Sequence, residues 1–159
     1  MRILGIDPGT GICGFGVIEV DRKNVASLVS AGKISTPAGT PLADRLLDIY
    51  DSLLEIIEEM KPDEVSIEKL FFNTNITTGI TVAQARGVAM LVARQKELPI
   101  FEYTPLQIKQ TLTGYGRAEK KQIQEMVRVH LQLRSTLRQD DAADALAAAI
   151  THSLMRRGG

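Results

Sequence analysis

Arg2-Ile-Leu-Gly-Ile-Asp7-Pro8-Gly9-Thr10-Gly11 is the stretch from which the rest of the chain is read. Its apolar run has strand length, and Pro8-Gly9 stops it directly after an acid, so a buried strand delivers Asp7 at one end of a sheet. Working outward, residues 14–20 (GFGVIEV) and 25–35 (VASLVSAGKIS) read as two more strands. The polar turn Asp21-Arg22-Lys23-Asn24 between them suggests a hairpin, and three strands in antiparallel succession are the simplest arrangement. Pro41 then opens a helix with Leu42, Leu46, Leu47, Ile49, Tyr50, Leu53, Leu54, Ile57 and Met60 at helical spacing, ended by Lys61-Pro62.

Residues 64–68 (EVSIE) make a fourth strand, and a polar loop at 73–78 leads into a helix over 81–96. A fifth strand at 99–104 begins on a proline. Helical segments follow at 105–112, 118–133 and 139–156, the first two joined by a flexible connection, Thr113-Gly114-Tyr115-Gly116. The order β-β-β-α-β-α-β-α implies an α/β domain spanning 1–159, a mixed five-stranded sheet whose first three strands are antiparallel, flanked by helices. That is the order of a ribonuclease H-like fold.

At 159 residues the chain suits one domain with a real core. Its one cysteine, Cys13, excludes an intramolecular disulfide and a cysteine-rich metal site, and fits a cytoplasmic location. The N-terminal run is too short for a signal peptide, and the apolar stretch Gly87–Ala93 is bounded by Arg86 and Arg94, so neither is expected to enter a membrane. The formal net charge is zero but unevenly placed. Residues 1–85 hold 7 Lys/Arg against 12 Asp/Glu, a balance of −5, and residues 86–159 hold 12 against 7, a balance of +5. A basic surface beside an acidic site is compatible with nucleic acid.

The acids form a constellation. Asp7 ends the first strand, Glu68 ends the fourth, and Asp140-Asp141-Ala142-Ala143-Asp144 opens the last helix. If strands one and four are neighbours, Asp7 and Glu68 meet. Asp141 and Asp144 are three apart and share a helix face, with Cβ atoms roughly 5–6 Å apart. Four converging carboxylates repel one another and raise each other's pKa, and a hard divalent cation offsets that cost. Two such ions, about 3.5–4 Å apart, activate a water and stabilise the leaving oxygen in phosphodiester cleavage. Other readings stand beside this one: Asp7 as a turn former, Glu68 as a strand-end charge, and Asp140 as the helix N-cap.

Taken together, these blocks resemble the RuvC-type Holliday junction resolvases. The blocks are Gly5-Ile-Asp7-Pro-Gly-Thr10, Ile67-Glu68, Ala85-Arg-Gly-Val-Ala89, Lys109-Gln-Thr111, Gly114-Tyr-Gly-Arg-Ala-Glu-Lys120 and Asp141-Ala-Ala-Asp144-Ala-Leu-Ala147. The resemblance implies a metal-dependent endonuclease that nicks four-way DNA junctions symmetrically in recombination and repair. Asp7, Glu68, Asp141 and Asp144 match the catalytic acids that hold Mg²⁺, with Mn²⁺ able to substitute. Asp141 stands where some members carry histidine. Lys109 and Lys120 match residues set against the DNA backbone, and Arg117 and Lys121 extend that patch. Phe71 matches an aromatic that stacks on a base at the junction centre, a role open to any exposed ring. The family also implies a homodimer, which suits a two-fold substrate, and partnership with branch-migration proteins of the RuvA and RuvB type. The small-residue helix around Gly87–Ala93 is either a core helix or an interface. His152 is read as structure.

Rival readings fare worse. The phosphate loop of actin-like ATPases resembles Gly5–Gly11, but those enzymes need two domains and leave Asp141 and Asp144 without a role. Another ribonuclease H-like nuclease shares the acids but not the Phe71 and Lys109/Lys120 segments. A binding module that has lost catalysis would lack an acid, and none is missing.

Overall fold

The computed structural model describes residues 1–69 and 76–156. Ten elements follow in the order expected: β1 (Arg2–Asp7), β2 (Ile12–Val20), β3 (Ala26–Ser35), α1 (Leu42–Met60), β4 (Glu64–Glu68), α2 (Ile76–Gln95), β5 (Ile100–Tyr103), α3 (Pro105–Thr113), α4 (Lys120–His130) and α5 (Asp140–Met155). The strands form one sheet in the order β3-β2-β1-β4-β5. β1 runs antiparallel to β2 and parallel to β4, and β4 runs parallel to β5. The apolar run of β1 is thus explained by position: Ile3, Leu4 and Ile6 are fully buried in a central strand covered on both faces.

Alternation along the strands divides the core in two. Leu4, Ile6, Val17, Val65 and Ile67 pack with Ile49, Leu53, Ala85, Ala89 and Val92 of α1 and α2. Ile3, Ile18 and Tyr103 pack on the other face with Ile108, Ile123, Val127 and the alanines of α5. Because α3 and α4 cover α5, that helix is buried along most of its length, from Ala142 to Ser153 except Asp144. An alanine-rich sequence fits such a place, since small side chains allow close approach on every side. The sheet reciprocates. A Cβ on Gly5 would lie 1.9 Å from the Ala145 carbonyl oxygen, and one on Gly14 2.1 Å from that of Asp141. These glycines are the floor on which α5 sits.

Several element ends differ from the sequence reading. Pro41 lies just outside α1, in an extended conformation, and Lys61 in a left-handed conformation closes the helix through its N–H to the Ile57 carbonyl. α2 begins at Ile76, not at 81, because Thr77 and Thr78 continue the helix instead of the expected loop. It is 20 residues long, and an 18-residue window within it reaches a mean hydropathy of 1.3, long and apolar enough to cross a membrane by that measure. Here, however, Gly79, Ala85, Ala89, Val92 and Ala93 are buried in the domain core. α4 is shorter than 118–133, since Gln132 adopts positive φ and turns the chain. The connection 113–116, expected to be flexible, is tied by hydrogen bonds: the Thr113 hydroxyl donates to the Lys109 carbonyl (2.6 Å) and accepts from the Tyr115 N–H (3.1 Å).

Candidate active site

The site is assembled from backbone facts. β1 presents Ile3, Gly5 and Asp7 on the α5 face, and its last residue, Asp7, is a carboxylate. The parallel register Ile6↔Ile67 places Glu68, the last residue of β4, beside Asp7. Both therefore stand at the same end of the sheet, where neighbouring parallel strands end. α5 crosses that face with its first turns over Gly14, so Asp141 and Asp144 are brought to the two strand ends.

Electrostatics confirm the convergence. The Asp7 carboxyl is pushed up to about 8, first by burial, then by the charges of Asp144, Glu68 and Asp141, with Lys120 opposing. Glu68 is raised by burial and by Asp144, against the lowering effect of Lys109. Asp144 is raised by burial, and Lys120 offsets part of the repulsion from Asp141 and Asp140. Asp7, Glu68 and Asp144 are thus costly to ionise, first because they are buried and then because of the neighbouring acids.

The cations take distinct places. Lys109, half-buried on α3, lines a cleft with Glu68, Pro105, Ile108, Ile123, Asp144 and Ala147. Lys120, the first residue of α4, sets its Nζ 3.2 Å from Asp140 and 3.9 Å from Asp144. Burial alone would lower its pKa, but the hydrogen bond to Asp140 and the surrounding acids raise it. Lys121 on α4 and Arg117 before it are exposed. Phe71, and Phe72 beside it, lie outside the described residues.

Asp140 is corrected by the structure. The N-cap is Gln139, and Asp140 is the first helical residue. Its carboxylate accepts from the Gln124 side-chain amide (2.8 Å) and pairs with Lys120, tying α4 to the mouth of the site. Nothing in the local pattern signals this, because the partners are 16 and 20 residues away. His152 is structural as read. Eight residues on from Asp144, its Nδ1 lies 2.6 Å from the Tyr103 hydroxyl and its Nε2 2.5 Å from Glu64, with Phe101 stacked on its ring. Arg156 joins Glu64 at 2.9 Å. This network fastens the far end of α5 to the start of β4 and to β5.

The donor set suits a hard cation: four carboxylates, no histidine or thiolate, and mutual repulsion that a divalent ion would relieve. The acids do not close a ligand shell on their own, for among the described residues no three such groups are already placed to hold one ion. The fit rests on the donor chemistry and the convergence of the four acids.

A mixed sheet in this order, with acids at two adjacent strand ends and two more on the helix that crosses them, defines the ribonuclease H-like nuclease class. Within that class the chain belongs to the family of the crossover junction endodeoxyribonuclease RuvC, whose sequence profile matches residues 3–152. Relatives of that name from Brevibacillus brevis and Thermotoga petrophila are 52% and 51% identical, covering 98% and 99% of this chain and 93% and 94% of their own lengths. The structure of Thermus thermophilus RuvC in complex with a Holliday junction substrate superposes with a TM-score of 0.94 at 34% identity, covering 100% of this chain and 96% of that one.

Proposed function

We propose that this chain is a divalent-metal-dependent endodeoxyribonuclease that resolves four-way DNA junctions by paired symmetrical nicks. In this reading it acts as a cytoplasmic homodimer alongside branch-migration proteins of the RuvA and RuvB type. The observation that carries the reading is the convergence of Asp7, Glu68, Asp141 and Asp144 from three elements on one end of the sheet, beside a cleft rimmed by Lys109. The Thermus thermophilus relative, known in complex with a Holliday junction substrate, supports the choice of DNA form.

Asp7, Glu68, Asp141 and Asp144 would hold two Mg²⁺ or Mn²⁺ ions. Bound there, such ions supply an acidified water and a charge to stabilise the leaving oxygen. The chain's own residues bind and orient. Lys109, on the wall that carries Glu68 and Asp144, meets a phosphate entering the cleft. Lys120 offers a second ammonium at the acids, and Arg117 and Lys121 lengthen the basic track. Phe71, three residues after Glu68 ends β4, is assigned to stacking at the junction centre. For the dimer, α2 supports an interface: Ile76, Ile80, Gly87 and Leu91 fall on one exposed stripe of the helix, with Ile76 72% exposed and Leu91 55%.

The test compares a synthetic four-way junction with a duplex of matched sequence, both in Mg²⁺, resolved on a denaturing gel. Paired nicks in opposite strands of the junction, with the duplex intact, are expected. Equal cutting of both would replace the reading with a general nuclease.

A further inference from the structure

We infer that Tyr115 is a second base-stacking platform, separate from Phe71, that holds an unpaired DNA base beside the active-site cleft. The inference rests on the nuclease reading above. Most of the described aromatic rings are engaged in the fold. Tyr103 is buried, Phe101 stacks on His152, Phe15 packs against the core, and the Tyr50 hydroxyl bonds Gln95. Tyr115 is different, with 56% of its surface exposed.

Its backbone, by contrast, is held firmly. Gly114 ends α3 at φ 75°, a left-handed conformation that glycine adopts without strain, and its N–H reaches the Gln110 carbonyl at 2.8 Å. The Thr113 hydroxyl accepts from the Tyr115 N–H, and the Tyr115 carbonyl accepts from the N–H of Ala118, itself buried. Gly116 packs so closely that a Cβ there would lie 2.6 Å from a methyl of Leu106. An exposed ring on a fixed backbone loses little freedom on binding.

Its setting is nucleic-acid chemistry. Residues 109–121 carry Lys109, Arg117, Lys120 and Lys121 against Glu119 alone, a balance of +3. α3 and α4, which the turn joins, contribute Ile108, Lys109 and Ile123 to the cleft that holds Glu68 and Asp144. Lys120 is five residues on from Tyr115, at most about 17 Å of extended chain. A strand whose phosphate lies at the acids therefore has bases a few nucleotides away within reach of the ring. Since a tyrosine ring stacks on any base, it gives no sequence reading, but it favours DNA with bases that are out of the helix. At the branch point of a junction the stack is interrupted, so a base there is taken out of the helix at lower cost than in an intact duplex. The turn that carries it joins α3 and α4, whose Ile108, Leu112 and Ile123 pack on the α5 side of the sheet, away from α2.

The experiment measures binding of a fluorescent junction and a matched duplex in EDTA, by anisotropy over a salt series. It uses wild type, Tyr115→Ala and Tyr115→Phe, each checked for folding by thermal melting. Loss of one stacked base corresponds to roughly 5- to 150-fold weaker junction binding in Tyr115→Ala. Duplex binding and the salt slope should be unchanged, and Tyr115→Phe should stay within about twofold of wild type. Junction binding unaltered in Tyr115→Ala, or an equal loss on both DNAs, overturns the inference. A wild type with no preference for the junction overturns the junction-resolving reading on which the inference rests, a separate result.

Discussion

Asp7 carries the largest electrostatic burden among the four acids, and its behaviour is measurable without any substrate. Its folded pKa of about 8 lies above the ordinary aspartate value of 3.8, so in the metal-free protein the folded state holds a proton that the unfolded state has released. Stability from this group is complete below about pH 4 and is lost as pH rises through about 8. Glu68 and Asp144, also raised, act in the same direction. The melting temperature in EDTA should therefore fall between pH 4 and 8, and Asp7→Asn should both flatten that slope and raise the melting temperature at pH 8. A steeper slope in Asp7→Asn would show that the carboxylate is not the source. Adding Mg²⁺ or Mn²⁺ should stabilise wild type more at pH 8 than at pH 6, because cation and proton compete for the same oxygens. The same substitution should lower strand cutting by more than about 100-fold, since even partners of metal ligands are worth about 10–100-fold. More stable and less active is the expected signature of an acid kept for chemistry.

At the scale of elements, the site depends on how closely α5 approaches the sheet. Gly14→Ala would drive a methyl into the Asp141 carbonyl, and no flexible side chain is there to yield. We expect a loss of about 1–3 kcal/mol in urea unfolding, the usual cost of overpacking. Activity should fall further than stability does at a temperature where the variant is fully folded. Much of this architecture was legible in the sequence. The strand ending in Asp7, the strand 64–68 and the alanine-rich last helix each announce themselves by pattern, and the acids fall at their ends. What was not legible lies in long-range packing. Asp140 looks like a cap from its neighbours alone, and only the fold brings Lys120 and Gln124 to it. The start of α2 was missed because threonines read as loop, although the fold carries the helix through them. Tyr115 sat in what looked like a loose glycine connection, and its tethering by Thr113 depends on geometry that glycine content hides.

On the scale of the whole molecule, the sheet separates two jobs. One face carries α5, α3 and α4, with the acids, the cleft and the basic residues; the other carries α1 and α2, with the exposed stripe Ile76, Ile80, Gly87 and Leu91. Two copies joined through that stripe would keep both acid sites open, as a two-fold junction requires. Leu91→Asp is expected to shift the protein from dimer to monomer in light scattering after size exclusion. The variant's melting in dilute solution should remain cooperative, since Leu91 is exposed and contributes little to the core of one copy. A wild type that is monomeric at micromolar concentration would show that the stripe is not a dimer interface.

The most direct single measurement is cutting of a synthetic four-way junction by wild type and Asp7→Asn, side by side in Mg²⁺ and in EDTA. Wild type should make symmetrical nicks in Mg²⁺ only, and Asp7→Asn should make none above background under either condition. Cutting that persists in EDTA, or that survives the loss of the Asp7 carboxylate, would contradict the claim that the four acids hold the ions that do the chemistry.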